Sequence, residues 1–439
     1  MRRHITLALA IGILFSVSLL AENWPQWRGP LGNGVSPEKG LPTTFSADRG
    51  ILWKAPIRGK GVSSPIVWGD QIFLTAQLGR GKLRPGNHPT LSREAGVTEG
   101  SLEAEDSSET GTRFLIHSID REKGEIRWTL ESAAAGDFPE VHRKSNMATP
   151  SCVTDGRGIY CWFATGQLIA VATDGTKLWE KAMGSSYSPF QISWGHASSP
   201  TLFRNTLILL CDHQTASYLV ALNTRTGEEI WRTDRGSGLS SYSTPMIVPG
   251  PQRVELLINS SRGLDSYNPG TGEHLWFLEQ PNRFPVPSAT FGDGTIFTSR
   301  GHRSGPYMAI EPGGTGNIAD SHLKWQVDTG APYVTSVVYY QGVLYMVNGS
   351  GIVTAVDGKS GATLWKSRVG GVYSASPVAG DGKIYLTSEE GKVTVLEAGK
   401  KEARVLGSMT LDERTLASPA ISGGRLYFRT DGHLFSIGN

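Results

Sequence analysis

Side chains able to do chemistry are few and scattered in this chain. Cys211, Asp212 and His213 stand together in "CDHQ", a thiol, a carboxylate and an imidazole in three consecutive positions. A metal site draws its ligands from more than one strand, so one such run reads as a polar loop. Glu389-Glu390 and Asp431 are the carboxylates best placed for acid–base work, but adjacent residues on a strand end point to opposite faces. No H-E-x-x-H, G-x-S-x-G or P-loop occurs. The residues therefore assign no catalytic group and no metal-ligand set.

Histidine, arginine and aromatic side chains gather instead in short connections. "VHRKSNMATP" carries His142, Arg143, Lys144 and Asn146, "FQISWGHASSP" carries Trp194 and His196, and "LSSYSTP" carries Tyr242. Later connections carry Arg283 and Phe284, Tyr333, Tyr373 and Arg414, and "SRGHRSGPY" adds Arg300, His302 and Arg303. If these met, they would form a concave site with aromatic walls and convergent polar groups. Their chemistry would suit an anionic or carbohydrate-like ligand. The alternative is a solvated loop face. The decision rests on the elements that carry them.

Those elements repeat. A small residue followed by proline recurs at Ser64-Pro65, Thr149-Pro150, Ser199-Pro200, Thr244-Pro245, Ser376-Pro377 and Ser418-Pro419, with degenerate copies at Ser288-Ala289 and Ser336-Val337. Each start leads into a short apolar strand, a Gly/Asp turn and a second strand, as in "SPVAGDGKIYLTS". Asp-Gly and Gly-Gly accept the positive φ of a two-residue hairpin. A third strand follows, then a Thr/Ser-Gly turn and a fourth strand ending in tryptophan, as in "IVTAVDGKSGATLW". Four short antiparallel strands per unit, eight times over, predict an all-β fold: an eight-bladed β-propeller. The last unit lacks its tryptophan strand, and "GILWKAPI" near the N-terminus is such a strand without a unit. A ring closed by that N-terminal strand leaves no open edge.

Trp128, Trp231, Trp276 and Trp365 keep one offset from the turn, Trp179 and Trp325 end looser versions of the phrase, and Trp53 stands in the N-terminal strand that has no unit. That regularity predicts a structural role between neighbouring blades, the indole N–H finding one partner there. The seventh unit has Val405-Leu406 in their place. Connections between blades fall on one face of such a ring, so the His, Arg and aromatic side chains above are expected at one mouth of the central channel.

The phrase Asp/Asn-x-x-Thr/Ser-Gly-x-x-x-Trp resembles the tryptophan-docking motif of the PQQ-type propeller repeats, which are found in quinoprotein alcohol dehydrogenases and in BamB-like envelope propellers. "NWPQWRGPLGNG" at 23–34 is similar to the opening of secreted PQQ-like propellers. The resemblance covers residues 52–439. The dehydrogenases are longer chains with an adjacent Cys-Cys pair over the quinone and a Glu/Asn/Asp calcium site. Cys152, Cys161 and Cys211 are dispersed here, and the haem motif C-x-x-C-H is absent. The resemblance therefore implies a non-catalytic binding or assembly scaffold, with an envelope protein, a glycan or a small anionic ligand as partner. A PQQ- and calcium-dependent dehydrogenase, or a carbohydrate-active enzyme, is the alternative.

Residues 1–21 read as a signal peptide, Arg2-Arg3 before an apolar run from Ile5 to Leu20. They imply a periplasmic or secreted protein, with no transmembrane domain after cleavage. Residues 22–51 read as an extended N-terminal segment, and about 78–112 as a polar insertion in the first blade. A formal net charge of +2 gives no nucleic-acid surface. Cys152 and Cys161 flank the hairpin "VTDGRGIY" and face the same side of the sheet, either as a cross-strand disulfide or as two small buried side chains.

Overall fold

The computed structural model describes residues 23–46, 49–79, 81–84, 111–302 and 304–439. The signal-peptide reading, most of the insertion and Arg303 lie outside them. Eight antiparallel sheets follow one another along the chain. Blade 1 is Ile66–Trp68, Gln71–Leu78, Arg113–Asp120 and Ile126–Ala133. Blade 8 is Ala420–Ser422, Arg425–Arg429 and His433–Ile437, completed by Ile51–Pro56. The first and last parts of the chain thus close the ring in one sheet.

Burial explains the strand compositions. Second and third strands lie between neighbouring blades and are buried on both faces, so they read as continuous apolar runs such as Thr206–Cys211. Fourth strands form the rim and alternate, as in Ile126–Ala133. Blade 4 carries a fifth strand, Gly316–Asn317, paired parallel to His274–Glu279.

Six tryptophans reach from a fourth strand into the next blade. Indole Nε1 of Trp53, Trp128, Trp179, Trp231, Trp325 and Trp365 donates to the carbonyl oxygen of Arg121, Thr173, Thr224, Pro269, Gly358 and Gly399, at 2.9–3.2 Å. The glycine of the receiving turn makes room. A Cβ on Gly227 would stand 2.9 Å from the Trp179 ring, and one on Gly272 2.4 Å from the Trp231 ring. Trp276 departs from this rule. It is fully buried and donates at 2.9 Å to Glu255 Oε2 in its own blade. The extra strand of blade 4 pairs with its strand, and among the described residues no other blade has a fifth strand.

The small-Pro starts form a second ring. The backbone N–H of Ser64 donates to Ser151 Oγ, and the pattern continues through Ser199, Thr244, Ser288, Ser336 and Ser376 to Ser418, at 2.7–3.1 Å. Small hydroxyl residues are needed because the innermost strands converge on the axis. One assignment changes: the ring position in blade 2 is Ser151, not Thr149. The Thr149-Pro150 pair falls two residues early, and Cys152 takes the slot that proline fills in five other blades.

Cys152 and Cys161 stand opposite each other with sulfurs 2.7 Å apart, and they and Cys211 are buried free thiols. Residues 23–46 do more than lead into the ring. They lie along the edges of the innermost strands, with backbone bonds to Val67, Thr154 and Ala379. Farther on, Leu41 N–H donates to Asp381 and the Tyr385 hydroxyl to Pro42 O. Gly407 sits so close to Thr43 O that a Cβ would be 2.4 Å away. This segment fills the junction where Val405-Leu406 replaces tryptophan.

Candidate functional site

A cavity of about 240 Å³ opens at one mouth of the channel. Its floor is the hydroxyl ring, with Ser64, Ser151, Ser199, Thr244, Ser336, Ser376 and Ser418 all exposed to it. Its walls come from the connections between blades: His142 and Lys144, Trp194, Tyr242, Phe284 and Tyr333. Trp27 of the N-terminal segment reaches it from below.

The aromatic side chains form a continuous arc. Ring centroids lie 5.4 Å apart for His142 and Trp194, 6.4 Å for Trp194 and Phe284, 5.1 Å for Phe284 and His302, and 5.3 Å for His302 and Tyr333. Two cations stack on its rings. The Arg84 guanidinium lies 4.6 Å from the Trp194 ring centroid and that of Arg283 5.2 Å from Phe284. Arg84 lies near the start of the insertion, next to Leu83, which bridges Val141.

Trp194 is held in an unusual backbone state. Its φ is +75°, in the left-handed region that an aromatic residue rarely enters. Gly195 follows at φ +83°, where a Cβ would lie 2.8 Å from Val141 Cγ1. The turn is tied down from both sides: His142 N–H donates to Trp194 O, and the Tyr242 hydroxyl donates to Ser193 O. Such strain persists only where the surroundings impose it, and it gathers at functional sites. Burial raises both the Tyr242 and Tyr333 hydroxyls above the ordinary phenol range, so both remain protonated.

Lys144, in the wall, is paired with a carboxylate behind it. Lys144 Nζ lies 2.8 Å from Glu389 Oε1, which also accepts from the Ser374 hydroxyl, and Glu389 Oε2 is buried without a partner. No carboxylate stands among the described residues lining the cavity.

The structure brings His142, Trp194, Tyr242 and Tyr333 to the cavity and places His302 and Arg283 along its arc. Arg143 lies in the half-exposed turn beside His142. The other expected residues serve the scaffold. His196 is buried against Trp162, with ring centroids 4.2 Å apart, and Tyr373 is 2% exposed. Arg300 is buried between blades 4 and 5, donating to Asn259 Oδ1 and to Ser260 O. Asn146 Oδ1 accepts from Ala148 N–H, and Arg414 pairs with Asp431 at 3.6 Å. Asp212, the carboxylate of "CDHQ", binds Arg235 at 2.7 Å, and His213 packs on Phe190. The repeat pattern does not mark Trp27 or Arg84, because each enters from a segment outside it. Glu389 and its neighbour have separate tasks: Glu390 accepts from Val372 N–H.

Eight blades around a lined channel, six of them locked to the next by a docked tryptophan, define a PQQ-type propeller. The chain belongs to the family described as outer membrane protein assembly factor BamB, whose model matches residues 112–293 and 262–437. It is 23% identical over 360 residues to tetrathionate hydrolase of Acidithiobacillus ferrooxidans, covering 77% of this chain and 65% of that protein. It is 26% identical over 224 residues to BamB of Yersinia pestis, covering 47% of this chain and 52% of that one. The chain thus spans less than two thirds of the length of either relative. Among solved structures, quinohemoprotein alcohol dehydrogenase from Comamonas testosteroni matches with a TM-score of 0.67 at 12% identity, over 97% of this chain and 82% of that one. BamB from Moraxella catarrhalis matches with a TM-score of 0.52 at 14% identity, over 74% and 88%. At these identities the structural likeness concerns the fold. Among the described residues no helix is long and apolar enough to cross a membrane.

Proposed function

We propose that this chain is an exported, non-catalytic propeller of the cell envelope that binds an anionic ligand, or an anionic group of a partner, in the mouth cavity. One observation carries the reading: an aromatic arc, with Arg84 and Arg283 stacked on its rings and Lys144 in its wall, borders a floor of hydroxyls, with no carboxylate in the described lining. Aromatic faces and hydroxyls suit a sugar ring, and the cations suit an acidic one. An acid–base pair is not at hand, since Glu389 is engaged by Lys144 and Ser374. The hydrolase relative is named for tetrathionate, an anion, which would meet the same kind of rim.

The lining does not fit PQQ with calcium. Calcium takes six to eight oxygen ligands, carboxylates prominent among them, whereas the described lining holds no carboxylate and Glu389, behind it, already faces Lys144. Thermal-shift titration tests the reading, using acidic oligosaccharides, tetrathionate, and PQQ with Ca²⁺ against Ca²⁺ alone. A ligand that binds only the native state raises the midpoint as its concentration passes its dissociation constant. A saturable shift with an acidic ligand, lost in Trp194→Ala, is the expected result. A saturable shift with PQQ and Ca²⁺ would overturn it in favour of a quinoprotein.

A further inference from the structure

Side chains alternate where each connection enters its blade, and the alternation gives the mouth cavity a layered wall. The residue before a floor position turns its hydroxyl into the blade. Ser63 Oγ donates to Thr75 O at 3.2 Å, Ser243 Oγ to Asn259 O at 2.8 Å and Thr335 Oγ1 to Val347 O at 2.6 Å. The floor position itself faces the cavity. Ser336, Ser376 and Ser418 each accept one backbone N–H from the preceding blade, and among the described residues none of the three donates to a protein acceptor. A hydroxyl has one proton to give. Those O–H groups, and that of Ser64 beside Ser418 in the ring, are left to the cavity.

The layer above is different. Two residues before a floor position, and also lining the cavity, stand Val62, Ala197, Val286, Val334 and Leu416. The polar members of this layer have given their protons elsewhere: Thr149 to Asn146 O, Tyr242 to Ser193 O and Ser374 to Glu389 Oε1. An apolar collar therefore separates the hydroxyl floor from the aromatic arc. Trp27 closes part of the bottom, since it also borders a second cavity of about 200 Å³ to which Ser288 opens.

We propose that the mouth takes a small organic acid head-first, its carboxylate or sulfonate oxygens accepting from the floor hydroxyls and its apolar body filling the collar. This rests on the reading of the mouth as an anion site and names the class of anion. An ionised acid group only accepts hydrogen bonds, which matches a floor of unused O–H donors. The wall cation Lys144 is already offset by Glu389, so the floor is left to hold the head. The aromatic arc accepts apolar and sugar faces alike, but the collar does not. Sugar hydroxyls held there would lose water and gain no partner.

The test is calorimetric titration of the purified chain with benzoate, benzamide and glucuronate at one pH and ionic strength. Benzamide keeps the flat body but loses the charge and brings N–H donors, and glucuronate keeps the carboxylate on a polar body. Benzoate is expected to bind at least about tenfold more tightly than either. Ser64→Ala should weaken benzoate at least about fivefold. Among the described residues Ser64 gives its own N–H to Ser151 and its hydroxyl accepts no backbone N–H, so the change strands no donor. Ser418→Ala should give a similar loss from the next blade, and melting curves of both variants check that the ring is intact. Thr335→Val removes a hydroxyl turned into the blade and should leave benzoate binding unchanged. Equal affinities for benzoate and glucuronate, or benzoate binding unchanged in both serine variants, would overturn this proposal and leave the anion-binding reading in place. No binding by benzoate, glucuronate or tetrathionate would overturn both.

Discussion

Lys144 and Glu389 are 245 residues apart in sequence and 2.8 Å apart in space, tying the connection between blades 1 and 2 to blade 7 at the wall of the mouth. Their side chains are only 7% and 2% exposed. Removing one partner of a buried pair strands the other charge, at a cost of about 3–5 kcal/mol. Lys144→Met and Glu389→Gln are each expected to destabilise by that order. Lys144→Met/Glu389→Gln should recover part of the loss, with a coupling of at least about 1 kcal/mol in a denaturation cycle. Additive losses would mean that the pair is not coupled.

The docked tryptophans predict an asymmetry among glycines. Gly227 has φ +70°, and its Cβ would touch the Trp179 ring, whereas Gly382 has the same φ with open space around it. Gly382→Ala should cost about 1 kcal/mol for the left-handed backbone alone. Gly227→Ala should cost at least about 1 kcal/mol more, because the indole must also move. Equal losses in chemical denaturation would show that the turn yields without disturbing the junction.

Most of this ring was legible in the sequence, because each blade solves the same packing problem with the same residues. The exceptions come from segments that belong to no repeat. Trp276 keeps the motif, but the added strand at Gly316–Asn317 sends its N–H to Glu255. Val405-Leu406 lacks tryptophan because Thr43 and its neighbours cover that junction. At the mouth, residue type could not separate Trp194 from His196. Both lie in one connection, yet the left-handed turn at Trp194 exposes one ring and buries the other.

Cys152 and Cys161 predict a compartment-dependent bond. Burial, and then the neighbouring Cys152, raise the Cys161 pKa well above the usual thiol range. The thiolate that attacks in thiol–disulfide exchange is therefore suppressed once the chain has folded. A chain folded in an oxidising compartment should release one titratable thiol on denaturation, that of Cys211, and a chain folded under reducing conditions should release three. Three thiols after oxidative folding would show that the pair stays reduced.

Three histidines are buried in the neutral form. Burial lowers the pKa of His117 to about 4 and of His213 to about 3, and lowers that of His196 well below its ordinary value of 6.5. The unfolded chain takes up their protons near pH 6.5 and the folded chain only far below it. Their contribution is complete above pH 6.5 and is lost as pH falls from there towards about 3. The midpoint temperature should fall across this window, less steeply in His213→Leu. An unchanged slope in that variant would mean that His213 is protonated in the native state.

Trp194 connects strain to binding. A left-handed backbone costs a residue with a Cβ roughly 1–2 kcal/mol, and glycine almost nothing. Trp194→Ala and Trp194→Gly lose the same ring contacts with His142, Phe284 and Arg84. They differ in strain, offset in part by the greater freedom of glycine in the unfolded chain. Trp194→Gly should therefore be the more stable by about 1 kcal/mol in chemical denaturation. Both should lose the thermal shift given by an acidic ligand, since the ring is the platform and Arg84 is placed against it. A glycine variant no more stable than the alanine would show that the turn relaxes when the ring is gone. The left-handed state would then be imposed by what the ring packs against, not by the turn itself.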